Sequence, residues 1–341
     1  MATADGRCSM SDRNALRREF IASTGWADAR ESLLAGDASF RKYFRLVRPS
    51  GTAVVMDAPP PQEDVRPFVR IGRHLRTLGL SAPEIHAEDA EHGFLLLEDL
   101  GDDTYARVIE SGGDERMLYE RATDVLAAVH AAPCHGLLPD LGAYMGDGLI
   151  DAAMLLPEWY LPAASGEPTP PEEIASYRAA WRQCLAHLPD SAGDTLLLRD
   201  YHKDNLLWLP ARPGVRACGL LDFQDAQRGH ASYDLVSLIE DARRDVSPAI
   251  HAACLARYIG ATGLDAADFR TGFALMAAQR HARIIGLFVR LLERDGKPDY
   301  LQHLPRVWRM FERALTHEAV APLRAWVDRL LPSALRRIGA A

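Results

Sequence analysis

The chain lacks most of what would place it in a specialised class. Its five cysteines stand singly at positions 8, 134, 184, 218 and 254, without a Cys-x-x-Cys pair or a Cys/His spacing of zinc type. A scattered, odd-numbered set does not form a disulfide framework and reads as free thiols of a reducing compartment. Long hydrophobic runs are missing too. Stretches such as Leu95 to Leu97 fall far short of the ~20 residues that span a bilayer, and MATADGRCSMSDRNALRREF has no apolar core of signal-peptide type. A soluble cytoplasmic protein without a membrane partner is expected. Positive charge is in deficit, 39 Lys+Arg against 47 Asp+Glu for a net charge of −8. That balance argues against nucleic acid as a partner, while leaving room for one small phosphate site.

What is present is ordinary globular material. With 341 residues, 48% hydrophobic and 25% charged, a sizeable core and two domains or one large bilobed one are expected, at ~150 residues per domain. Up to about residue 100, strand-like runs dominate: Phe40 to Val47 after Gly36-Asp37, Thr52 to Met56 after Pro49-Ser50-Gly51, and Phe94 to Leu97. A helix carries Phe68, Ile71, Leu75 and Leu78 and ends at Gly79; another is expected around Asn14 to Ser23.

Beyond residue 100, helical stripes take over. One runs through Leu118, Ala122, Val125 and Val129 behind the cap residue Asp114, and another through Ile174, Tyr177, Trp181 and Leu185. Others run through Ile284, Phe288 and Leu291, and through Leu304, Trp308, Phe311 and Leu315. Trp181, Trp308 and Trp326 read as core, His130 and His187 as helix-end cap or surface residues, and Arg329, Arg336 and Arg337 as the solvated face of an amphipathic helix. Between the helices lies a strand-rich island, Leu196 to Asp222.

The island carries the chemistry. Arg199-Asp200-Tyr201-His202-Lys203-Asp204-Asn205 is followed by Leu220-Leu221-Asp222-Phe223-Gln224. Phosphoryl transfer from ATP requires a carboxylate to orient or deprotonate the attacking hydroxyl, and oxygen ligands to hold Mg²⁺ against the phosphates. Asp200 and Asn205 put a carboxylate and an amide oxygen on one short loop. Asp222, closing a hydrophobic strand, supplies a second carboxylate. The alternative for these residues is a polar β-turn with an Asx contact.

Asp-x-His-x-x-Asn followed by a strand ending in Asp-Phe-Gln resembles the aminoglycoside-phosphotransferase branch of the protein-kinase-like fold. More narrowly, GDASFRKYFRL (36–46), VVMDAPPPQED, GFLLLEDLGDDTY (93–105), RDYHKDNLLWL (199–209) and LLDFQDAQRGHASYDLVSLIEDAR (220–243) resemble the anomeric N-acetylmuramate/N-acetylglucosamine kinases of cell-wall recycling. The resemblance implies an α+β, bilobed fold with a β-rich N-lobe (1–98) and a larger, mainly helical C-lobe (99–341). It implies ATP and Mg²⁺, with Asp200 as catalytic base and Asn205 and Asp222 as metal ligands. His202 and Asp234 would support the loop. Ser39, Phe40 and Arg41 would cover the phosphates, and Glu98 to Leu100 would form the adenine hinge. Its product would be an amino-sugar 1-phosphate, made by a monomer.

Two departures stand out. Position 198 is Leu where the family often has His, and TAVVMDAP lacks the usual phosphate-contacting lysine, as no Lys lies between Lys42 and Lys203. Arg41 or Lys42 is expected to replace it; the narrower sugar-kinase group shares the departure. For the acceptor, Glu158 and Trp159 offer a carboxylate and an aromatic face, and Arg280 a cation for a lactyl carboxylate, against a packing cluster and a surface cation near a helix start. The alternative functions are an aminoglycoside or other small-hydroxyl phosphotransferase, or a nucleotide-binding pseudokinase module.

Overall fold

A computed structural model describes residues 10–36, 40–132 and 141–336. The chain begins with α1 (Met10–Ser23), β1 (Arg30–Gly36), β2 (Lys42–Arg48), β3 (Gly51–Asp57), α2 (Arg66–Thr77), β4 (Ile85–Asp89) and β5 (Phe94–Glu98). There follow α3 (Tyr105–Glu110), α4 (Glu115–His130), β6 (Ala143–Tyr144), α5 (Asp147–Ala153), a π-helical turn at Leu156–Tyr160, α6 (Leu161–Ser165) and α7 (Pro171–Leu185). Next come β7 (Thr195–Leu197), β8 (Leu206–Trp208), β9 (Cys218–Leu220) and β10 (Gln227–Gly229). The last helices are α8 (Ser232–Ile239), α9 (Pro248–Thr262), α10 (Ala266–Glu293), α11 (Leu304–Leu315) and α12 (Ala321–Leu330). No described helix is long and apolar enough to cross a membrane.

The chain divides into two compact units, Met1–Thr104 with Leu207–Asp225, and Tyr105–Leu206 with Ala226–Ala341. The first is built on an antiparallel sheet of order β1-β2-β3-β5-β4. The β-branched run of β3 is central and buried, and Phe20 and Ile21 of α1 pack with Leu46, Ala53, Val55, Phe94 and Leu96. Arg13 and Arg17 of α1 lay their guanidiniums over Phe94 and Phe44, 3.9 and 3.8 Å from the ring centroids. Both also pair with the buried Asp57, at 2.7 and 3.0 Å. Helix α2 starts beside Pro67, buries Phe68, Ile71 and Leu75, and stacks Phe68 on Phe223 at 4.6 Å. The β8–β9 pair joins this unit through backbone bonds from Leu220 N–H to Ser81 O (2.9 Å) and from Trp208 N–H to Asp103 O (2.7 Å).

The second unit is mainly helical, with a small sheet of order β6-β10-β7. Its helices carry the caps their sequences offer: Asp114 accepts from Met117 N–H, Ser247 from Ile250 N–H, and Asp265 from Ala267 and Asp268 N–H. The 28-residue α10 is the spine, packed against α5, α8, α11 and the π-helical turn. At Gly286 the approach is so close that a β-carbon would stand 2.0 Å from the Leu155 carbonyl oxygen. Trp181, Trp308 and Trp326 are buried as expected, and Cys184, Cys218 and Cys254 are buried free thiols.

Three expectations need correction. Helix α10 begins at Ala266, so Arg280 lies buried in its middle and is not a surface cation near a helix start. The side chain of His130 is neither cap nor surface: it is buried, 2.7 Å from the Tyr258 hydroxyl and 3.7 Å from Asp234. Arg336 lies beyond α12, over the Trp308 ring and paired with Glu312 and Asp328; Arg337 falls outside the described residues.

Candidate active site

The loop after β7 is shaped by one buried carboxylate. Asp234, fully buried near the start of α8, accepts hydrogen bonds from Leu198 N–H (2.6 Å) and Arg199 N–H (2.9 Å). Arg199 is thereby held in the left-handed region, φ 70°, a conformation costing a non-glycine residue roughly 1–3 kcal/mol. Asp200 follows, exposed to solvent. Tyr201 then turns inward and anchors the loop through its hydroxyl to Ala122 O at 2.9 Å.

The next residues tie the loop to itself. Asn205 donates its amide N–H to Asp200 O at 2.9 Å, which fixes which end of the amide is nitrogen and directs the oxygen end the other way. His202 accepts from Asp204 N–H. Burial lowers its pKa, against the opposing pull of Asp241 and other nearby acids, so the ring is neutral at neutral pH. Lys203 sits between Asp204 (3.1 Å) and Asp241 (3.8 Å).

In the first unit, Asp222 lies two residues beyond β9 with φ 55°, strained as Arg199 is. Gln224 donates to its Oδ1 at 2.9 Å, and the buried Arg41 guanidinium stands 3.6 Å from Asp222 and 3.6 Å from Glu63. Burial of Arg41 opposes its charge, and the combined pull of Tyr43, Asp222, Glu63 and Asp225 outweighs it, raising the pKa. Phe40 is exposed and donates its backbone N–H to Glu63; Ser39 lies outside the described residues. Lys42 opens β2 opposite Asp57. Asp57 itself, in the strand that lacks a lysine, is occupied by Arg13 and Arg17 of α1. The chain holds three lysines in all, Lys42, Lys203 and Lys297.

Glu98 closes β5 with its carboxylate hydrogen-bonded to Arg212 and 3.8 Å from Arg76, so its side chain serves this unit's own ion pairs. Leu100 packs against Gly219 of β9. Arg45 pairs with Asp99 (2.8 Å) and Asp102 (2.6 Å) just past β5. That pairing joins two segments more than fifty residues apart, and no local pattern announces it.

Glu158 and Trp159 occupy the π-helical turn, a helix form often found at functional positions. Glu158 lines a cleft of about 680 Å³ with Pro157, Pro162, Ala163, Thr169 and Ile174. Desolvation raises its carboxyl pKa, partly opposed by Arg178. None of the described residues lining that cleft belongs to the Asp200 loop. Arg280 donates to Ser237 Oγ at 2.8 Å, while its Nε and Nη1 are buried without a hydrogen-bond partner.

Residues 31–270 match the model of the phosphotransferase enzyme family. The chain belongs to that family. Among curated relatives, the N-acetylmuramate/N-acetylglucosamine kinase of Caulobacter vibrioides is 38% identical over 96% of this chain and 99% of its own length. The protein of that name from Pseudomonas aeruginosa is 39% identical over 87% of this chain and 88% of its own. Among solved structures, a choline/ethanolamine kinase family protein from Mesorhizobium loti has a TM-score of 0.62 at 15% identity, over 93% of this chain and 99% of that one. The ADP-bound aminoglycoside phosphotransferase APH(2'')-Ib has a TM-score of 0.56 at 14% identity, over 90% and 99%. The family fold is therefore α+β and protein-kinase-like, a β-sheet N-terminal part followed by a helical C-terminal part.

Asn205 of the second unit and Asp222 of the first each carry a side-chain oxygen, the ligand type Mg²⁺ prefers. Among the described residues no cluster of three or more His, Cys, Asp or Glu able to hold a metal occurs.

Proposed function

We propose that the protein is an ATP-dependent kinase that phosphorylates the anomeric hydroxyl of N-acetylmuramate and N-acetylglucosamine, giving the sugar 1-phosphate for peptidoglycan recycling in the cytoplasm. The observation that carries this reading is the match, at 38% identity and nearly full length, to a kinase of that name. In the reaction Asp200 accepts the proton of the anomeric hydroxyl as that oxygen forms its bond to the γ-phosphorus and the bond to ADP breaks. An anomeric hydroxyl is more acidic than an ordinary alcohol, so an exposed carboxylate suffices as base. Asn205 and Asp222 would hold Mg²⁺, which when bound supplies positive charge to the phosphates.

Asp234 and His202 act by positioning, through the loop's backbone. Arg41 takes the place of the missing lysine, with Ser39 and Phe40 beside it in the phosphate-covering segment. The backbone from Glu98 to Leu100 meets adenine. The lobes are divided along the chain at the hinge, 1–98 as N-lobe and 99–341 as C-lobe. That division is distinct from the two compact units, the first of which also takes in Leu207–Asp225. Glu158, Trp159 and Arg280 are assigned to the acceptor side, and the enzyme works as a monomer.

Incubation with ATP, Mg²⁺ and each sugar, followed by ³¹P NMR, should give a sugar 1-phosphate. Asp200→Asn should lower kcat by about 10²–10⁴-fold while ATP still binds. An aminoglycoside phosphate as product, or no turnover of either sugar, would remove the proposal.

A further inference from the structure

The chain reaches Asp200 through a strained turn. Asp200 N–H bonds back to Leu198 O at 2.9 Å, and Arg199 between them stands at φ 70°. A three-residue turn with positive φ at its centre is the rare, strained hand of that motif, and glycine would occupy it at no steric cost. Asp234 offsets the strain from the amide side, through the Leu198 and Arg199 N–H groups. Those bonds do not set the direction in which the chain leaves the turn. On the carbonyl side the contact is loose, with Ser237 Oγ 3.4 Å from Arg199 O.

The Arg199 side chain supplies the missing constraint. It starts just past β7 and crosses the small sheet, donating to the Gln227 amide oxygen on β10. Its guanidinium lies 4.0 Å over the ring of Tyr144 on β6, the face-on stacking that the planar arginine head favours. Both anchor points are fixed in turn. Gln227 pairs in register with Leu197; Tyr144 accepts from Gln279 through its hydroxyl at 2.9 Å and meets Tyr233 edge to face at 5.2 Å. With N and Cβ both anchored, the tetrahedral Cα has one direction left for its carbonyl carbon, and that direction aims Asp200. We infer that Arg199 is a positioning residue for the catalytic carboxylate, its side chain clamping the strained turn against the sheet. This rests on Asp200 being the base of the kinase reaction proposed above.

The test is steady-state kinetics with N-acetylglucosamine and ATP, beside urea unfolding, for Arg199→Gly, Tyr144→Leu and the double variant. Glycine suits the turn, so a role of the backbone alone would leave kcat at or above wild type. Positioning by the side chain instead predicts a kcat lower by about 10- to 100-fold, the scale of a reacting group displaced by up to ~1 Å, with both KM values within about threefold. Tyr144→Leu removes the ring face from under the same guanidinium, so the double variant should fall little below the worse single one. A wild-type kcat in Arg199→Gly, or single losses that multiply in the double variant, overturns the inference. Should either variant not fold, Gln227→Leu decides the matter with the loop's own residues intact. Its kcat should drop by about threefold or more at unchanged KM, the scale of one hydrogen bond, and an unaltered kcat overturns the inference. A wild type that phosphorylates neither sugar, or an Asp200→Asn variant at full activity, instead defeats the functional reading beneath it and this inference with it.

Discussion

Asp234→Asn is the sharpest probe of how the loop is held. The native carboxylate accepts two backbone N–H groups, at 2.6 and 2.9 Å, and hydrogen bonds to a charged group contribute about 1.5–3 kcal/mol each. Asparagine keeps one oxygen, so one bond survives, while an amide N–H faces the other donor. Arg199, at φ 70°, then loses half of what offsets its backbone strain. A net loss of about 2–3 kcal/mol in the catalytic conformation corresponds to a fall in kcat of roughly 30- to 150-fold, at 1.36 kcal/mol per factor of ten. The assay is steady-state kinetics of Asp234→Asn beside urea unfolding. The expected pattern is a reduced kcat with an ATP KM within about threefold of wild type, because the residue reaches the chemistry only through the backbone of Leu198 and Arg199. A kcat within threefold of wild type, with unchanged unfolding, would refute the bracing argument.

Two further outcomes follow from packing and burial. Gly286→Ala would press a β-carbon onto the Leu155 backbone at 2.0 Å, an overlap that side-chain rotation does not relieve. Overpacking costs typically 1–3 kcal/mol or more and exceeds the ~1 kcal/mol gained in helix propensity, so a lower urea midpoint is expected and an unchanged one would contradict the contact. Burial holds the His230 pKa down to about 4, with His130 adding to the effect. The unfolded chain, titrating near 6.5, takes up the proton first, so stability is full above pH ~6.5 and falls as pH drops toward 4, by about 3 kcal/mol. Unfolding midpoints that stay flat between pH 7 and 5 would rule this out.

The strands with β-branched or alternating patterns, β2, β3 and β5, were legible, as were α4, capped by Asp114, and α7, entered through prolines. Strand β1 (RESLLAG) was not: Leu33 is 63% exposed, and the segment is a strand because it pairs with β2, from Arg30 opposite Val47 to Gly36 opposite Lys42. Strand β4 (IHAED) is likewise short and polar, and its ladder with β5 defines it. The first half of α10 escaped notice because its alanines and buried Gln279, Arg280 and His281 leave no clean apolar stripe.

In the candidate site, the placing of Asp200 and Asn205 on one loop was readable from their spacing. Their long-range partners were not. His130 reaches Asp234 from 104 positions away, a relation that only the tertiary fold creates. The same holds for Asp57. In the sequence it marks a missing lysine; in the fold it is the counter-ion of two arginines some forty residues earlier.

That last arrangement bears on what counts as the smallest autonomous piece of the chain. Asp57 is 3% exposed, and both of its cations come from α1, upstream of the sheet itself. A shortened chain opening at β1 would keep every strand and still carry a buried carboxylate with its neutralising charge cut away, at a cost of about 3–5 kcal/mol. The first helix thus belongs to the electroneutrality of the sheet as much as to its packing, and the boundary of this unit is set by charge before it is set by strands.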